Sequence, residues 1–294
     1  MKQLNKYKTK IDLEKIQNEY VIYVLTTQQN VAHLNMKPLG LEAKLIDATN
    51  LENKVFADLL NQLDGLAYGD KGLAMEKWVA LDCGILPGAF IGLAKYANEL
   101  NPELKEKFDL PQDYTGLIPL SEFCAIPTAQ SGKWMMHTLA TIIQNKGVGT
   151  HTEALGFAIC PATKMLVVAQ YNNSSALKVH TKFGNLNLLA AITPSHTQTE
   201  MTFIYETPLP SQTELKKILE TNQPLTNPCP HFYLNAESLD EKNHIHEQIQ
   251  TGLVNYQIVY PGLVENSLDS MHEPKIQIPL TAKATEKVLQ ASCK

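Results

Sequence analysis

Arginine is absent from this chain: all 25 basic residues among its 294 are lysine. Bidentate guanidinium forks are therefore excluded, and any phosphate must rest on backbone N–H groups and lysine point charges. Charge of either sign is not in marked excess. The net charge is −5 and neither end carries a strong charged tail, so the electrostatic footprint of a nucleic-acid binder is missing. Cysteine is scarce: Cys83, Cys124, Cys160, Cys229 and Cys293 are odd in number and scattered. That pattern suits reduced thiols in a cytoplasmic protein better than a disulfide framework. No apolar run reaches membrane-spanning length, and the polar start Met1–Lys6 has no apolar signal core, which leaves open only secretion without a cleavable signal. Neither a G-x-S-x-G elbow nor a Walker loop occurs. His244 and His246 stand two apart on an expected helix and point to different faces, and Cys229-Pro230-His231 lacks partner ligands at finger spacing, so no metal site is expected.

What is present is an ordinary globular composition, 44% hydrophobic and 19% charged, in a chain long enough for one large domain or two smaller ones. The informative stretch runs from Trp134 to Gly184. An apolar run, Met135 to Ile143, reads as a buried strand. Gln144-Asn145-Lys146-Gly147-Val148-Gly149-Thr150 follows, and then a helical pattern through Glu153, Ala154, Leu155 and Phe157. A strand ending in a glycine-containing loop that opens a helix makes an anion cradle, because glycine permits close approach and the first turn has unpaired N–H groups. A second apolar strand, Met165 to Ala169, leads into a capped helix beginning near Asn173.

Gln144 to Gly149 fits the pattern Q/R-x-x-G-x-G/A, and Asn173-x-x-Ala176-x-x-x-His180-x-x-x-Gly184 fits N-x-x-A-x-x-x-Y-x-x-x-G-F. Both motifs, in this order and each at a strand-to-helix junction, resemble the acetyl-CoA-binding half of the GNAT superfamily of N-acyltransferases. His180 stands where that family has Tyr, and Asn185 where it has Phe. A dinucleotide-binding reading fits less well, since the loop lacks a third glycine and no acidic residue ends the next strand. The resemblance implies a mixed, mostly antiparallel α/β (α+β) sheet with a central splayed parallel strand pair, flanked by helices. It implies that Leu139, Ala140, Thr141 and Ile142 meet the pantetheine arm of acetyl-CoA, and that Gln144, Asn145, Lys146, Gly147, Val148, Gly149 and Thr150 hold its pyrophosphate. Asn173 and Ala176 belong to the same cofactor-binding set. Transfer to a primary amine needs a base, an oxyanion stabiliser and a proton for the leaving thiolate. The expected base is His137, the stabiliser a strand N–H near Ala140, and the acid His180. The alternative is a degenerate domain of this family that binds CoA or a protein partner without transferring anything.

The resemblance covers roughly residues 43–207. Residues 1–42 are read as an extension that includes a strand at Tyr20–Leu25, and 208–294 as a small C-terminal α/β appendage through which a protein partner or acceptor could be engaged. Within the core, Ala43–Thr49 reads as a strand and Leu51–Leu66 as a helix. Lys77–Asp82 and Ala89–Ala94 read as strands, Asn98–Tyr114 as an inserted loop or short helix, and Leu117–Ile126 as a returning strand. Leu186–Ile192 and Met201–Tyr205 read as a closing antiparallel pair, and prolines from Pro208 to Pro230 as a linker. The appendage then holds a strand at His231–Leu234, a helix capped by Ser238, strands at Tyr256–Tyr260 and Lys275–Leu280, and a last helix.

Overall fold

The computed structural model describes residues 12–72, 74–144, 146–171, 173–191, 202–266 and 275–284. In chain order the elements are α1 (Leu13–Glu19), β1 (Val21–Thr26), β2 (Ala43–Asp47), α2 (Lys54–Tyr68), α3 (Lys77–Val79), β3 (Ala89–Tyr96), α4 (Pro102–Lys105), β4 (Leu117–Pro119), β5 (Ser121–Pro127), β6 (Lys133–Thr141) and α5 (Val148–Ile159). Then come β7 (Lys164–Gln170), α6 (Ser174–His180), β8 (Leu186–Ala190), β9 (Thr202–Pro208), α7 (Gln212–Thr221), β10 (Phe232–Asn235), α8 (Leu239–Thr251), β11 (Val254–Ile258), β12 (Val264–Asn266) and β13 (Lys275–Ala284). They fall into two compact units, Met1–Ala162 with Ser211–Thr221, and Thr163–Pro210 with Asn222–Lys294, a division that differs from the expected boundaries at 42 and 207. Each unit is a mostly antiparallel sheet with helices packed on it, the mixed α/β class that the sequence implied.

The sheet of the first unit runs β6-β5-β3-β1-β2, with β4 beside β3. β1 is its interior strand, parallel to β2 and antiparallel to β3, so Tyr20–Leu25 is no detached extension. Its continuous apolar run explains the position, because a strand covered on both faces need not alternate. α2 lays the stripe Phe56, Leu59, Leu60 and Leu63 onto the sheet, at the spacing that made it legible as a helix.

Two readings need correction. Lys77–Asp82 is helical, not a strand: α3 passes into a wide turn over Ala80–Ile85, in which Leu86 N–H donates to the Leu81 carbonyl. The shielded positions Val79–Ala80 and Gly84–Ile85 recur at a spacing of about five, the period of such a turn, and short apolar runs do not reveal their period beforehand. The proline-rich linker contains a helix, α7, which packs on α5 and on the turn at Pro38–Gly40, where Leu39 N–H donates to Gln212 Oε1 at 2.9 Å. Ser211 and Glu214 form its capping box, a signal masked by the surrounding prolines.

Between β3 and the β4–β5 segment the register slips by one. Ala94 lies opposite Pro119 but Ile91 opposite Phe123, so Gly92 and Leu93 face Leu120, Ser121 and Glu122. This β-bulge is held from several sides. The Ser121 hydroxyl takes Leu93 N–H at 3.1 Å and is hydrogen-bonded to the Thr152 hydroxyl of α5 at 2.6 Å. Its carbonyl accepts the buried Tyr23 hydroxyl at 2.8 Å. Gly92 leaves the space, since a Cβ there would lie 2.0 Å from the Ser121 carbonyl oxygen. Ser121 thus faces α5, and Glu122 faces α2.

The second unit is an antiparallel sheet in the order β10-β13-β11-β8-β9-β7, with β12 beside β13. β8 and β9 are the expected closing pair. α8 begins where expected, with Ser238 Oγ accepting Glu241 N–H at 3.2 Å. The last helix and the loop at 193–199 lie outside the described residues.

Gly92→Ala forces the bulge apart and is expected to cost about 3 kcal/mol or more, whereas Tyr23→Phe, which strands one carbonyl, should cost about 1–3 kcal/mol. Denaturant melts of the two variants check the ranking; equal, small losses would show that the bulge is not held this way.

Candidate active site

The loop after β6 is shaped by its own backbone. The Thr141 hydroxyl bonds the Leu120 and Ile143 carbonyls and accepts Ile143 N–H, which turns the chain. Gly147 then sits at φ 78°, in the left-handed region that favours glycine, as the N-cap of α5 with no side-chain cap. The first intrahelical bond runs from His151 N–H to the Gly147 carbonyl at 3.1 Å, so the N–H groups of Val148, Gly149 and Thr150 have no partner within the helix. His151 Nδ1 also reaches the Gly147 carbonyl, at 2.9 Å; a carbonyl only accepts, so that nitrogen carries the proton. Gln144 and Lys146 are exposed beside the loop, and Asn145 lies outside the described residues. A Cβ built on Gly149 meets nothing closer than the Thr141 methyl at 4.0 Å. Open backbone, uncapped N–H groups and one lysine fit a pyrophosphate group.

β6 presents its edges alternately. Ile142 N–H donates to the Leu120 carbonyl at 3.1 Å, and Ala140 lies opposite Glu122 in the same register. Antiparallel alternation therefore spends the Ala140 N–H on β5 and turns the N–H groups of Leu139 and Thr141 to the other edge. An oxyanion donor on this strand is thus one of those two rather than Ala140. Cys124 pairs with Thr138 but Ala125 with Met136, so His137 is an extra residue, bulged out and exposed.

On the α2 face, Glu122 and Asp64 meet in a cavity. Glu122 is fully buried and Asp64 3% exposed. Among the described residues no N–H or O–H reaches either oxygen of Glu122, while Asp64 accepts the Met75 N–H. Burial, and after it the charge and close approach of the Asp64 carboxyl, push the Glu122 acid well above the usual carboxylate range. Tyr68, at the end of α2, donates to the Leu139 carbonyl at 2.5 Å. Burial raises its phenol, opposed by the neighbouring Thr138 hydroxyl and aided by the Glu122 and Asp64 charges.

In the second unit, Asn173 Oδ1 accepts Ala176 N–H at 3.1 Å, so that motif pair caps α6. His180 is 3% exposed at the end of α6, its ring tilted against Tyr205 at 6.1 Å between centroids. Asn185 is tied by its amide to Gln257 at 3.1 Å and accepts the Thr226 hydroxyl at 2.7 Å. The structure thus brings Leu139–Ile142 and the loop together, and adds Glu122, Asp64, Tyr68 and His151, which the sequence reading passed over. Two signals were available: a carboxylate inside the apolar strand Leu120–Ala125, and Asp64 four residues after Leu60 on the apolar stripe of α2.

No family model matches the chain, and no curated protein does. Solved structures similar to it are GNAT-type acetyltransferases. An aminoglycoside 6'-acetyltransferase type Ii is 13% identical over 55% of this chain and 95% of its own, with a TM-score of 0.36. The aminoglycoside 6'-N-acetyltransferase from Enterococcus faecium is 11% identical over 56% and 96%, also at 0.36. A chain of the NatC complex, solved with Gag peptide and CoA, is 12% identical over 55% and 95%, at 0.34. At such identities and TM-scores these overlaps say nothing of ligand or site, and the fold class stands on the strand topology itself. Among the described residues no helix is long and apolar enough to cross a membrane.

Two predictions follow from this geometry. Gly149→Ala has room to fold, so acetyl-CoA affinity should fall about tenfold or more with melting unchanged if phosphate oxygens approach that backbone, and Lys146→Ala should weaken binding moderately and only at low salt. Calorimetry giving wild-type affinity for folded Gly149→Ala removes the loop from the site. For Glu122, the unfolded chain ionises at about pH 4.3 while the folded carboxyl stays neutral to higher pH. Stability present below the unfolded value is therefore lost as pH rises towards the folded one, by up to about 1.4 kcal/mol per pH unit. Glu122→Gln should remove that slope above about pH 4.3; parallel melting curves for wild type and variant would show an ordinary carboxyl.

Proposed function

We propose that this chain is an acyl-CoA-dependent N-acyltransferase that moves acetyl from acetyl-CoA directly to a primary amine, either a small amine or a protein lysine or N-terminus. The observation that carries the reading is the junction after β6: a bulged strand, a glycine at φ 78° and a helix start without a side-chain cap. Bound acetyl-CoA would supply the activated thioester. Gln144 and the segment from Lys146 to Thr150 would hold its pyrophosphate through N–H groups and one ammonium, the only chemistry open to a chain without arginine. The Leu139 and Thr141 N–H groups would meet the pantetheine amides or the thioester oxygen by backbone contact. His137, exposed on the bulge, would take a proton, and His180 would return one to the thiolate. Scarce cysteine, with Cys124 and Cys160 buried, supports a reducing, cytoplasmic setting.

A second reading, a domain that binds CoA without transfer, is favoured by one observation. His180 is buried against Tyr205, a packing role as natural as a catalytic one.

Thermal shift with acetyl-CoA, CoA and NAD tests the binding class, since a ligand at 100 times its Kd stabilises by about 2.7 kcal/mol. Acetyl-CoA and CoA should raise the midpoint and NAD should not. His180→Ala then separates the two readings. A proton donor's loss lowers turnover by about 10²–10⁴-fold at unchanged acetyl-CoA affinity, with His180→Tyr restoring much of it. A variant that melts early and turns over normally assigns His180 to packing.

A further inference from the structure

The cavity on the α2 face is about 80 Å³, several times the roughly 10–15 Å³ that one water needs. Its walls are largely apolar, with Leu60, Met75, Ile85 and Phe90 inside and the 45%-exposed Leu81 at the rim. Its buried polar atoms without a partner are acceptors. Both Glu122 oxygens and Asn61 Oδ1 are buried with no donor among the described residues, and Asp64 has only the Met75 N–H. Lys77, the lysine that lines the cavity, does not fill this demand, because it bonds Asp58. Buried acceptors without donors are costly, and charged ones more so. A group with three donors and a positive charge on an apolar stem answers the whole set: a primary ammonium.

We propose that this cavity is a recognition pocket for a primary alkylammonium ion, held by Glu122, Asp64 and Asn61 Oδ1. Charge balances: Glu122, which burial keeps neutral, releases its proton to solvent on binding, and the carboxylate so formed receives the one positive charge. Affinity therefore rises with pH until Glu122 has lost its proton, and falls again once the amine itself is neutral, near pH 10 for a lysine-like group. The groups facing Glu122 are Asp64 and Tyr68 from α2 and Tyr23 from β1, with Lys77 at the rim. The two tyrosines, their phenols raised by burial, stay neutral through that range, so the titration belongs to the Glu122 carboxyl. Naming this ligand as the acyl acceptor rests on the transferase reading; the binding itself does not.

The test is calorimetry with n-butylamine on the whole chain, without acetyl-CoA, in two buffers of different ionisation enthalpy. Butylamine should bind, release close to one proton per molecule bound near neutral pH, and bind at least about tenfold more tightly than n-butanol or butyltrimethylammonium, which lack the charge or the donors. Glu122→Gln, folded by its melting curve, should lose that affinity and the proton release; Asn61→Leu should lose part of the affinity and keep the release. No binding to wild type, equal binding of butanol, or unchanged binding to Glu122→Gln each overturns the pocket, as does a soaked crystal showing only water there. Acetyl-CoA titration of the same proteins separates two failures. Amine binding absent with acetyl-CoA binding intact overturns the pocket and leaves transfer standing; the converse overturns transfer and leaves the pocket.

Discussion

The one-residue slip at Ser121 is the constraint on which the first unit depends. Three residues of the β4–β5 segment face two of β3, and the surplus is tolerated because Gly92 has no side chain and Tyr23 and Leu93 satisfy the polar atoms of Ser121. The slip fixes which residue points where. Ser121 turns to α5, where Thr152 binds both its hydroxyl and the Val148 carbonyl, and so sets the first turn of that helix. Glu122 turns to α2. The placing of the first turn of α5 on one face and the acidic cavity on the other are therefore two consequences of one backbone irregularity.

The acidic cavity works against folding. A neutral Glu122 held beside Asp64 in apolar surroundings contributes little, and ionising it there would cost stability. The surrounding core, Phe56, Leu60, Ile85 and Phe90 among it, is large enough to tolerate this. Groups retained at such a cost are more easily understood as parts of a site than as parts of a core.

The helix start after β6 carries no such cost. Its N–H groups and dipole are what any helix start supplies, and Gly147 ends the loop in a left-handed conformation with no side chain in the way. His151, one turn on, holds the Gly147 carbonyl from behind.

The local signals were read well from sequence. The run Met135–Ile143, the glycines after it, the Asn173 cap and the Ser238 cap each depend on a few neighbouring residues, and each is found in place within a residue or two. The α2 stripe was legible for the same reason, since helical spacing is a local property. What sequence left undecided was non-local. That β1 lies inside the sheet depends on β2 and β3, which bury both its faces. The slip at Ser121 depends on Gly92, Tyr23 and Thr152, drawn from three other elements. Lys77–Asp82 became helical by packing, and α7 belongs to the first unit through contacts made across most of the chain's length. Glu122 and Asp64 are 58 positions apart, and only the packing of α2 on β5 brings them to one cavity. Sequence by itself determined the elements and the anion loop, because propensity and capping act over a few residues; tertiary structure alone decided the acidic cavity, because a carboxyl's proton affinity is set by what is folded against it.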